Sequence, residues 1–518
     1  MEGNLNKAVG IDLGTTFSCI AIINDEGLPE IIPNAEGNRL TPSVVFFDEG
    51  ISVVGEIAKE NAELHADKVV MFVKREMGNT NWHYKQSPSQ ILSPSDISAI
   101  ILKKIKNDAE SFLESKIDYA VITVPAYFND ERRRSVLAAG EIAGFNVLQL
   151  INEPTAAAIA FGLQESMQDE TALVYDLGGG TFDITLLKIE DQGKSIKIIA
   201  SDGDHQLGGK DFDDAIIRIC VDIFKGEHGF DPTEDLNDLQ RLRKDAEKAK
   251  IELSDREKIA LLVRSKGQRS RITIERNHFE QAIKSKIDTT LALIRSVLRT
   301  TKIKPESVNR VILIGGSTRI PMVREALYNF FGKEADTSVN PDEAVSIGAA
   351  ILASKKMLDL SPDEQVNKEF IEKFGGLKIT DVISHTIGIE AYVPGSDRKI
   401  NSHLIKKNSP IPVEVTKEFV TNIHGQTAIK VTIYQGEFSE PSLCNPIGDF
   451  ILKGLPPDRP PGCKVRLSVS CTDNGVIEVS ATDIESGIET QTHVNYAMGQ
   501  SKDQVSAKKL WMKEQIVE

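Results

Sequence analysis

The chain has 518 residues, of which 40% are hydrophobic and 26% are charged, as in a soluble globular protein with several compact units. Its 76 Asp and Glu residues against 61 Lys and Arg give a net charge of −15, which argues against a general nucleic-acid-binding protein. The five cysteines form no CxxC pair, which argues against a disulfide framework or a zinc site. The polar first residues predict no signal peptide and no apolar run is long enough for a membrane span, so a cytoplasmic location is expected.

The first 350 or so residues alternate between short apolar runs and helical patterns, which is typical of an α/β fold. Strands buried on both faces are predicted at residues 8–13, 120–124, 172–176 and 310–314. Helices are predicted at residues 130–144, 236–253 and 341–350. The first and third of these follow Asn129 and Asn340, which are good N-cap residues.

A short internal repeat predicts two similar lobes that face each other. The sequence IDLGTT begins at Ile11 and YDLGGGT begins at Tyr175, and each motif follows one apolar strand and precedes another. Two similar β-hairpins could arise by chance, but the matching flanking strands favour a duplication.

Beyond Asp381 the apolar pattern changes to a period of two, which predicts a separate β domain. Alternating strands are predicted at residues 428–434, 465–471 and 476–481, with a hairpin turn at 473–475 between the last two. The tail from Ser501 to Glu518 is predicted to be one helix capped by Ser501, with little to pack on.

The two glycine turns predict a site for a phosphate chain. The sequence contains no GxxxxGK[ST] loop, but backbone amides and hydroxyls of two facing turns can bind phosphate. The turn residues are Gly14, Thr15 and Thr16, and Gly178, Gly179, Gly180 and Thr181. Asp12 and Asp176 end the preceding strands, where two carboxylates would face Mg²⁺ through its water ligands. One Asp-Leu-Gly could merely cap a tight turn, but two copies favour the phosphate site.

One further segment is a candidate for an adenosine pocket, and a second places three polar residues on one helix face. Residues 312–319 read ILIGGSTR, a strand, a Gly-Gly turn and a helix start, with Arg319 near the position of a base. Glu247, Lys250 and Ser254 share one helix face by their spacing. Taken alone, the first pattern is also common packing, and the second is better explained as a solvated charged face.

Together these motifs resemble the DnaK-type chaperones of the heat-shock protein 70 family over nearly the whole chain. The resemblance is carried by IDLGTTFS from Ile11, VITVPAYFND from Val121, INEPTAAAIAFG from Ile151, YDLGGGTFDIT from Tyr175, LGGKDFD from Leu207 and NPDEAVSIGAA from Asn340. The stretch MFVKREMGNTNW from Met71 and the short C-terminal part are similar to the HscC-like branch.

The resemblance implies an α/β actin-like, two-lobed ATPase domain with duplicated ribonuclease-H-like lobes, followed by an all-β sandwich and a short C-terminal helix. The expected boundaries are 1–355 for the ATPase domain, 356–380 for the linker, 381–498 for the peptide-binding sandwich and 499–518 for a truncated lid helix. The helical lid is therefore expected to be largely absent. Two departures from the family pattern are Lys378, within the linker motif, and Lys210, where the family has a glutamate.

The resemblance also implies site residues and the hydrolysis of ATP to ADP, with Mg²⁺ and, as a candidate second ion, K⁺. The implied catalytic residues are Lys74, Glu153, Thr181 and Asp183, and Asp12 and Asp176 are implied in the metal sphere. The implied nucleotide-binding residues are Gly14, Thr15, Thr16, Phe17, Gly178, Gly179, Gly180, Gly208, Gly209, Glu247, Lys250, Ser254, Gly315, Gly316, Ser317, Arg319 and Asp342. Pro125 and Arg133 match an interdomain relay.

For the β domain, IGIEAYV from Ile387, NSPIPVE from Asn408 and AIKVTIYQGE from Ala428 carry the resemblance. Ile429 and Val431 would line a pocket for an apolar client side chain, and Tyr392 and Asn422 would arch over it. An ordinary sandwich core explains the apolar pair equally well.

The expected partners are unfolded or extended client polypeptides, a J-domain co-chaperone and a nucleotide-exchange factor, with no nucleic acid and no membrane. The main alternative is a lidless regulatory or exchange-partner member of the same family that seldom hydrolyses ATP. An actin-fold sugar kinase or a filament protein is a further alternative, because fold alone does not fix function.

Overall fold

The structure is a computed structural model that describes residues 7–88, 90–162, 169–360, 368–393, 396, 398–492 and 502–518. Within these ranges, no helix has both the length and the apolar character needed to cross a bilayer.

The N-terminal lobe is built on a mixed β-sheet covered by helices. Its elements are β1 (Lys7–Asp12), β2 (Phe17–Ile23), β3 (Pro29–Ile31), β4 (Thr41–Pro42), β5 (Val44–Asp48), β6 (Ile51–Val54), α1 (Glu56–Asn61), β7 (Val69–Met71), β8 (Tyr84–Ser87), β9 (Gln90–Leu92), α2 (Pro94–Phe112), β10 (Ile117–Val124), α3 (Asp130–Ile142), β11 (Asn146–Asn152) and α4 (Glu153–Phe161). The main sheet has the order β11-β10-β1-β2-β3, and a smaller sheet joins β6, β5 and β7. The predicted N-cap of α3 is confirmed, because the Asn129 side chain accepts a hydrogen bond from the Arg132 amide.

The second lobe repeats the central arrangement of the first. Its elements are β12 (Glu170–Leu177), β13 (Phe182–Glu190), β14 (Ser195–Asp204), α5 (Gly209–His228), α6 (Leu236–Asp255), β15 (Lys258–Ser265), β16 (Gln268–Glu275), α7 (Arg276–Thr301), β17 (Arg310–Ile314), α8 (Pro321–Phe331), α9 (Ala344–Leu360), α10 (Lys368–Phe374) and β18 (Lys378–Val382). Strand β12 is antiparallel to β13 and parallel to β17, as β1 is antiparallel to β2 and parallel to β10. The predicted duplication is thus confirmed.

Helix α9 packs between the lobes and differs from its prediction at both ends. It begins at Ala344, after a turn in which the Asn340 carbonyl accepts the Ala344 amide at 3.0 Å. It continues past Ala350 to Leu360 because its small and apolar residues stay buried against both sheets. Gly10 on β1 permits this packing, since a Cβ there would lie 2.0 Å from the Ala350 nitrogen.

The segment predicted as a linker, 356–380, is largely regular structure within the described residues. It holds the end of α9, helix α10 and most of β18. Strand β18 extends the second-lobe sheet by pairing parallel to β14, and the Lys378 amide donates to the Lys194 carbonyl at 2.7 Å. The Lys378 side chain is exposed while Leu377 is buried, so the lysine does not disturb the packing of this segment.

Eight further strands form a sandwich of two antiparallel sheets. They are β19 (Ile387–Tyr392), β20 (Lys399–Ile405), β22 (Val413–Val420), β23 (Ala428–Gln435), β24 (Asn445–Lys453), β25 (Lys464–Cys471), β26 (Ile477–Asp483) and β27 (Glu489–Thr492). The short strand β21 (Pro410–Ile411), between β20 and β22 in the chain, pairs instead with β18 at the edge of the second-lobe sheet. The sheet orders are β20-β19-β23-β24 and β22-β25-β26-β27, with a shared apolar core between them. The predicted strands and the hairpin turn at 473–475 are confirmed.

The C-terminal segment differs from the single unpacked helix that was predicted. Helix α11 (Lys502–Glu514) ends before β28 (Ile516–Val517), which pairs parallel to β6 of the first lobe. Lys103 on α2 donates to the carbonyls of Met512 and Gln515 at 2.5 and 2.8 Å, which satisfies the end of the helix. Val505 and Met512 are buried in the first-lobe core, so the segment does find a packing surface. The predicted cap, Ser501, lies outside the described residues.

Candidate active site

The two predicted phosphate turns meet face to face between the lobes. A Cβ on Gly179 would lie 1.9 Å from Thr16 Oγ1, and a Cβ on Gly180 would lie 2.5 Å from Thr15 Oγ1. Only glycine therefore allows the second turn to approach the first this closely. An open cavity lies beside them. Its predicted lining residues are Asp12, Gly14, Thr15, Thr16, Phe17, Lys74, Glu153, Asp176, Gly178, Gly179, Thr181, Gly315, Gly316 and Asp342.

A buried ion pair between Lys74 and Glu153 lies in the wall of this cavity. Lys74 comes from the 3₁₀ turn Val73–Glu76, and Glu153 is the first residue of α4. Lys74 Nζ bonds to Glu153 Oε1, and both side chains are buried. Burial disfavours the ammonium, but the nearby charges of Glu153 and Asp12 outweigh it and raise the pKa of Lys74. The lysine therefore stays charged, as it must to stabilise negative charge on a phosphate.

Three aspartates around this pair have raised pKa values. For Asp12, burial and the charge of Glu153 raise the pKa to about 7, although Thr123 Oγ1 donates to its carboxylate at 3.0 Å. For Asp183, burial and the charge of Glu153 raise the pKa to about 8. The Tyr127 amide, which donates to its carboxylate at 2.9 Å, partly opposes this rise. Burial and the same acidic neighbours also raise the pKa of Asp176. The centre thus holds more buried carboxylate than a single lysine can compensate.

The aspartates at the strand ends fit a magnesium ion. The described part of the chain contains no group of three or more His, Cys, Asp or Glu side chains that could hold a metal on its own. Mg²⁺ commonly needs only one or two carboxylates, because water and phosphate oxygens complete its shell. Asp12 and Asp176 supply oxygen ligands whose buried charge is uncompensated, so these two residues would hold the ion. When bound, Mg²⁺ would neutralise part of the negative charge of the phosphates.

Five of the predicted adenosine residues help to line a second, open cavity: Lys250, Ser254, Gly316, Ser317 and Arg319. Ser317 Oγ donates to the Gly178 carbonyl at 3.0 Å, which links this cavity to the phosphate turn. Arg319 pairs with Asp342 at 2.8 Å. The Gly209 amide donates to the Gly178 carbonyl at 2.9 Å, and Gly208 packs against Gly179 and Gly180.

Glu247 shares its helix with Lys250 and Ser254 but has a different role in the structure. Its carboxylate pairs with Lys59 of α1 at 2.7 Å, across the mouth of the cleft. Sequence reasoning missed two residues at this site, Lys59 and Arg75. The guanidinium of Arg75 donates to the second phosphate turn. Neither has a local signal, because each looks like a surface cation and its partner is far away in the chain. Thr123, which donates to Asp12, lies inside a recognised motif and could have been found there.

Arg133, one of the two predicted relay residues, lies at the contact between the first lobe and the β sandwich. Arg133 is buried, and its Nη2 donates to Asn152 Oδ1 at 2.6 Å and to Ser384 Oγ at 3.4 Å. Asn152 Nδ2 in turn donates to both carboxylate oxygens of Asp381 at 2.9 Å. Pro125 starts the turn after β10 and accepts the Phe128 amide at 3.1 Å.

The four predicted peptide-binding residues have two kinds of environment. Val431 is buried in the sandwich core, and Ile429 packs against the same core. Tyr392 is 49% exposed at the end of β19, and Asn422 is exposed after β22. The core explanation accounts for Val431, and a peptide-binding role for this group stays a prediction.

Two duplicated lobes that close on a buried Lys–Glu pair, followed by a β sandwich, define an actin-like ATPase joined to a sandwich domain. The family model described as "Hsp70 protein" matches residues 8–516. The chain is 42% identical over 505 residues to chaperone protein DnaK of Thermotoga petrophila, covering 96% of this chain and 82% of that protein. It is 42% identical over 496 residues to DnaK of Thermosipho melanesiensis (94% and 80% covered) and 41% identical over 513 residues to that of Thermosipho africanus (98% and 83% covered).

The chain belongs to the Hsp70 family, and the resemblance of its motifs to the DnaK-type members of that family is confirmed. It is an ATP-dependent chaperone that hydrolyses ATP and binds unfolded client polypeptides.

Proposed function

We propose that ATP hydrolysis at the Lys74–Glu153 pair is coupled to peptide binding through Asn152, the residue that precedes Glu153. One observation carries the proposal: neighbouring residues of one segment bond to two different places. Glu153 bonds to Lys74 in the cleft, and Asn152 bonds to Arg133 and Asp381 at the contact with the sandwich. A shift of Glu153 toward or away from Lys74 would therefore also move Asn152.

The chemistry at the cleft asks little of the protein beyond placing charges. Phosphoryl transfer needs a positioned water and a cation on the developing negative charge. Lys74 supplies that cation, and Asp183, which accepts a hydrogen bond from the Tyr127 amide, supplies carboxyl oxygens that can orient water. Thr181, in the second turn, lines the same cavity, where its hydroxyl would lie beside the terminal phosphate.

The proposed domain division assigns 1–355 to the ATPase domain and 381–498 to the peptide-binding sandwich. Strand β18 lies between these two domains in the chain and supports coupling. It pairs with β14 of the second lobe on one side and with β21, from the sandwich half of the chain, on the other. Clients would bind at the exposed part of the sandwich that carries Tyr392 and Asn422. A J-domain co-chaperone and an exchange factor are the proposed partners, and the stretch around Lys74 is the ground for proposing the HscC-like branch.

Single-turnover ATP hydrolysis, measured with and without an unstructured apolar peptide, tests this proposal. We expect peptide to accelerate hydrolysis in the wild type. Lys74→Ala should abolish hydrolysis, because no other cation of the described cleft takes its place beside Glu153. Asp381→Ala should keep basal hydrolysis and lose the acceleration by peptide, because Asn152 then loses its hydrogen bonds to the Asp381 carboxylate.

The controls separate the two halves of the proposal. Lys378→Ala changes an exposed side chain of the same strand and should behave as the wild type. If wild-type hydrolysis ignored peptide, the sandwich would be uncoupled and the regulatory alternative would be favoured. Hydrolysis that survived Lys74→Ala would refute the catalytic assignment.

A further inference from the structure

The side chain of Arg75 crosses the cleft from the first lobe to the second. Arg75 follows Lys74 in the 3₁₀ turn Val73–Glu76. Its Nε donates to the Gly180 carbonyl at 2.9 Å, and its guanidinium pairs with the Asp211 carboxylate. The side chains of Arg75 and Asp211 are only 12% and 15% exposed, so water screens this pair weakly. Both acceptors belong to the second lobe.

Asp211 extends this contact into the phosphate site. It lies in the first turn of α5, where its carboxylate also accepts the Gly208 amide at 2.9 Å. The next amides, of Gly209 and Lys210, donate to the carbonyls of the second phosphate turn at 2.9 and 2.8 Å. Arg75 therefore holds that turn twice, directly through Gly180 and indirectly through the start of α5.

A second contact between the lobes lies beside the first. Phe72, two residues before Lys74, has left-handed backbone conformation with φ of 58°. The Lys210 ammonium lies 5.8 Å from the centre of its ring, and the Arg243 guanidinium lies 5.9 Å from it. These distances are within the range of cation–π attraction. Lys210, which replaces the glutamate of the family motif, thus has an aromatic partner on the opposite lobe.

We infer that Arg75 is a positioning residue for ATP hydrolysis, whose bonds to Gly180 and Asp211 hold Lys74 against the phosphate turn and must break before nucleotide leaves. The inference rests on the proposed role of Lys74. Because Arg75 and Lys74 share one short turn, the bonds of Arg75 to the second lobe also fix the distance of Lys74 from the second phosphate turn. Opening of the cleft separates the lobes, so it has to break both bonds of Arg75 and the contact of Phe72.

The fork of the guanidinium is essential to this arrangement. A guanidinium can donate to a carbonyl and a carboxylate at once, whereas a lysine ammonium acts as a point charge. Arg75→Lys should therefore keep part of the Asp211 attraction and lose the Gly180 bond. Arg75→Met removes charge and donors but keeps an unbranched side chain, so the turn retains its packing.

Two rates test the inference: single-turnover hydrolysis, and dissociation of a fluorescent ADP chased with unlabelled ADP. Arg75→Met should slow hydrolysis about tenfold or more and speed ADP release about tenfold, with Arg75→Lys between it and the wild type. Asp211→Asn should act in the same direction. The double variant should be little worse than Arg75→Met alone, because both changes remove one interaction.

Arg310→Met is the matched control. Arg310 makes a comparable double ion pair, with Glu170 and Asp336 at 2.9 and 2.8 Å, at the far end of β17 from the cleft. This variant should lower the melting temperature and leave both rates unchanged. A purely structural role for Arg75 would give the same pattern, and Arg75→Met with wild-type rates would overturn the inference.

The proposed function and this inference can fail separately. If Lys74→Ala hydrolysed ATP normally, the catalytic assignment would fail, but the ADP release rate of Arg75→Met would still report on the cleft. If Lys74→Ala were inactive while Arg75→Met released ADP at the wild-type rate, the catalytic site would stand and the role of Arg75 would be refuted.

Discussion

We expect His385 to make the contact between the ATPase domain and the sandwich sensitive to acid. Its ring meets that of Tyr127 edge-on at 4.3 Å, and its Nε2 lies 3.2 Å from the Tyr127 carbonyl. Burial lowers the pKa of His385 from 6.5 to about 4, and the positive charges of Lys407 and Arg133 add to this effect. The Tyr127 carbonyl and Glu437 oppose it without cancelling it. The docked histidine is therefore neutral at physiological pH.

The sign of the pH effect follows from these two pKa values. An undocked sandwich exposes His385, which then titrates near its ordinary value of 6.5. Between the two pKa values the undocked state binds more protons, so docking weakens as pH falls through 6.5 and stops changing below about 4. At about pH 5 the loss amounts to about 2 kcal/mol, or roughly 30-fold in the docking equilibrium.

Amide hydrogen exchange at the contact measures this loss. The Leu150 amide donates to Asn474 Oδ1 and the Ile477 amide donates to Asp130 Oδ1, so undocking of the sandwich removes a hydrogen bond from each amide. Their protection factors, corrected for intrinsic exchange, should fall between about pH 7 and pH 5. His385→Gln retains a donor for the Tyr127 carbonyl but cannot titrate, and should flatten the profile. Equal pH profiles for the two proteins would refute the reasoning.

Two further predictions concern the phosphate turn and the C-terminal segment. Gly208→Ala would place a Cβ 2.6 Å from the Gly180 nitrogen, so the turn must shift and ATP affinity should fall about tenfold or more in a fluorescence titration. Gly226→Ala, in the same helix with nothing within 4 Å, should bind ATP normally. Lys103→Met removes the donor to the end of α11 and should cost about 1–2 kcal/mol of local stability. Faster hydrogen exchange in residues 502–518 would show it, and unchanged exchange would contradict it.

Local patterns were enough to predict the centre of the fold and the phosphate turns. Asp12 and Asp176 each follow a buried strand and precede glycine, so strand, turn and acid are encoded within a few residues. Contacts set by distant segments could not be predicted in this way. Strand β18 depends on the register of β14, and β28 depends on the free edge of β6. Arg75 looked like a surface charge because its acceptors belong to another lobe.

Two pairs of neighbouring residues connect the cleft with its surroundings. In the first pair Lys74 points to Glu153 and Arg75 points to the second lobe, and in the second Glu153 points to Lys74 and Asn152 points to the sandwich contact. The Lys74–Glu153 bond thus joins the element that closes the cleft to the element that holds the sandwich. Loss of Arg75 contacts should change nucleotide release, and loss of Asn152 contacts should change peptide coupling, each without removing the central pair. We therefore expect the two functions of the chaperone to be separable at these outer contacts and inseparable at the ion pair itself.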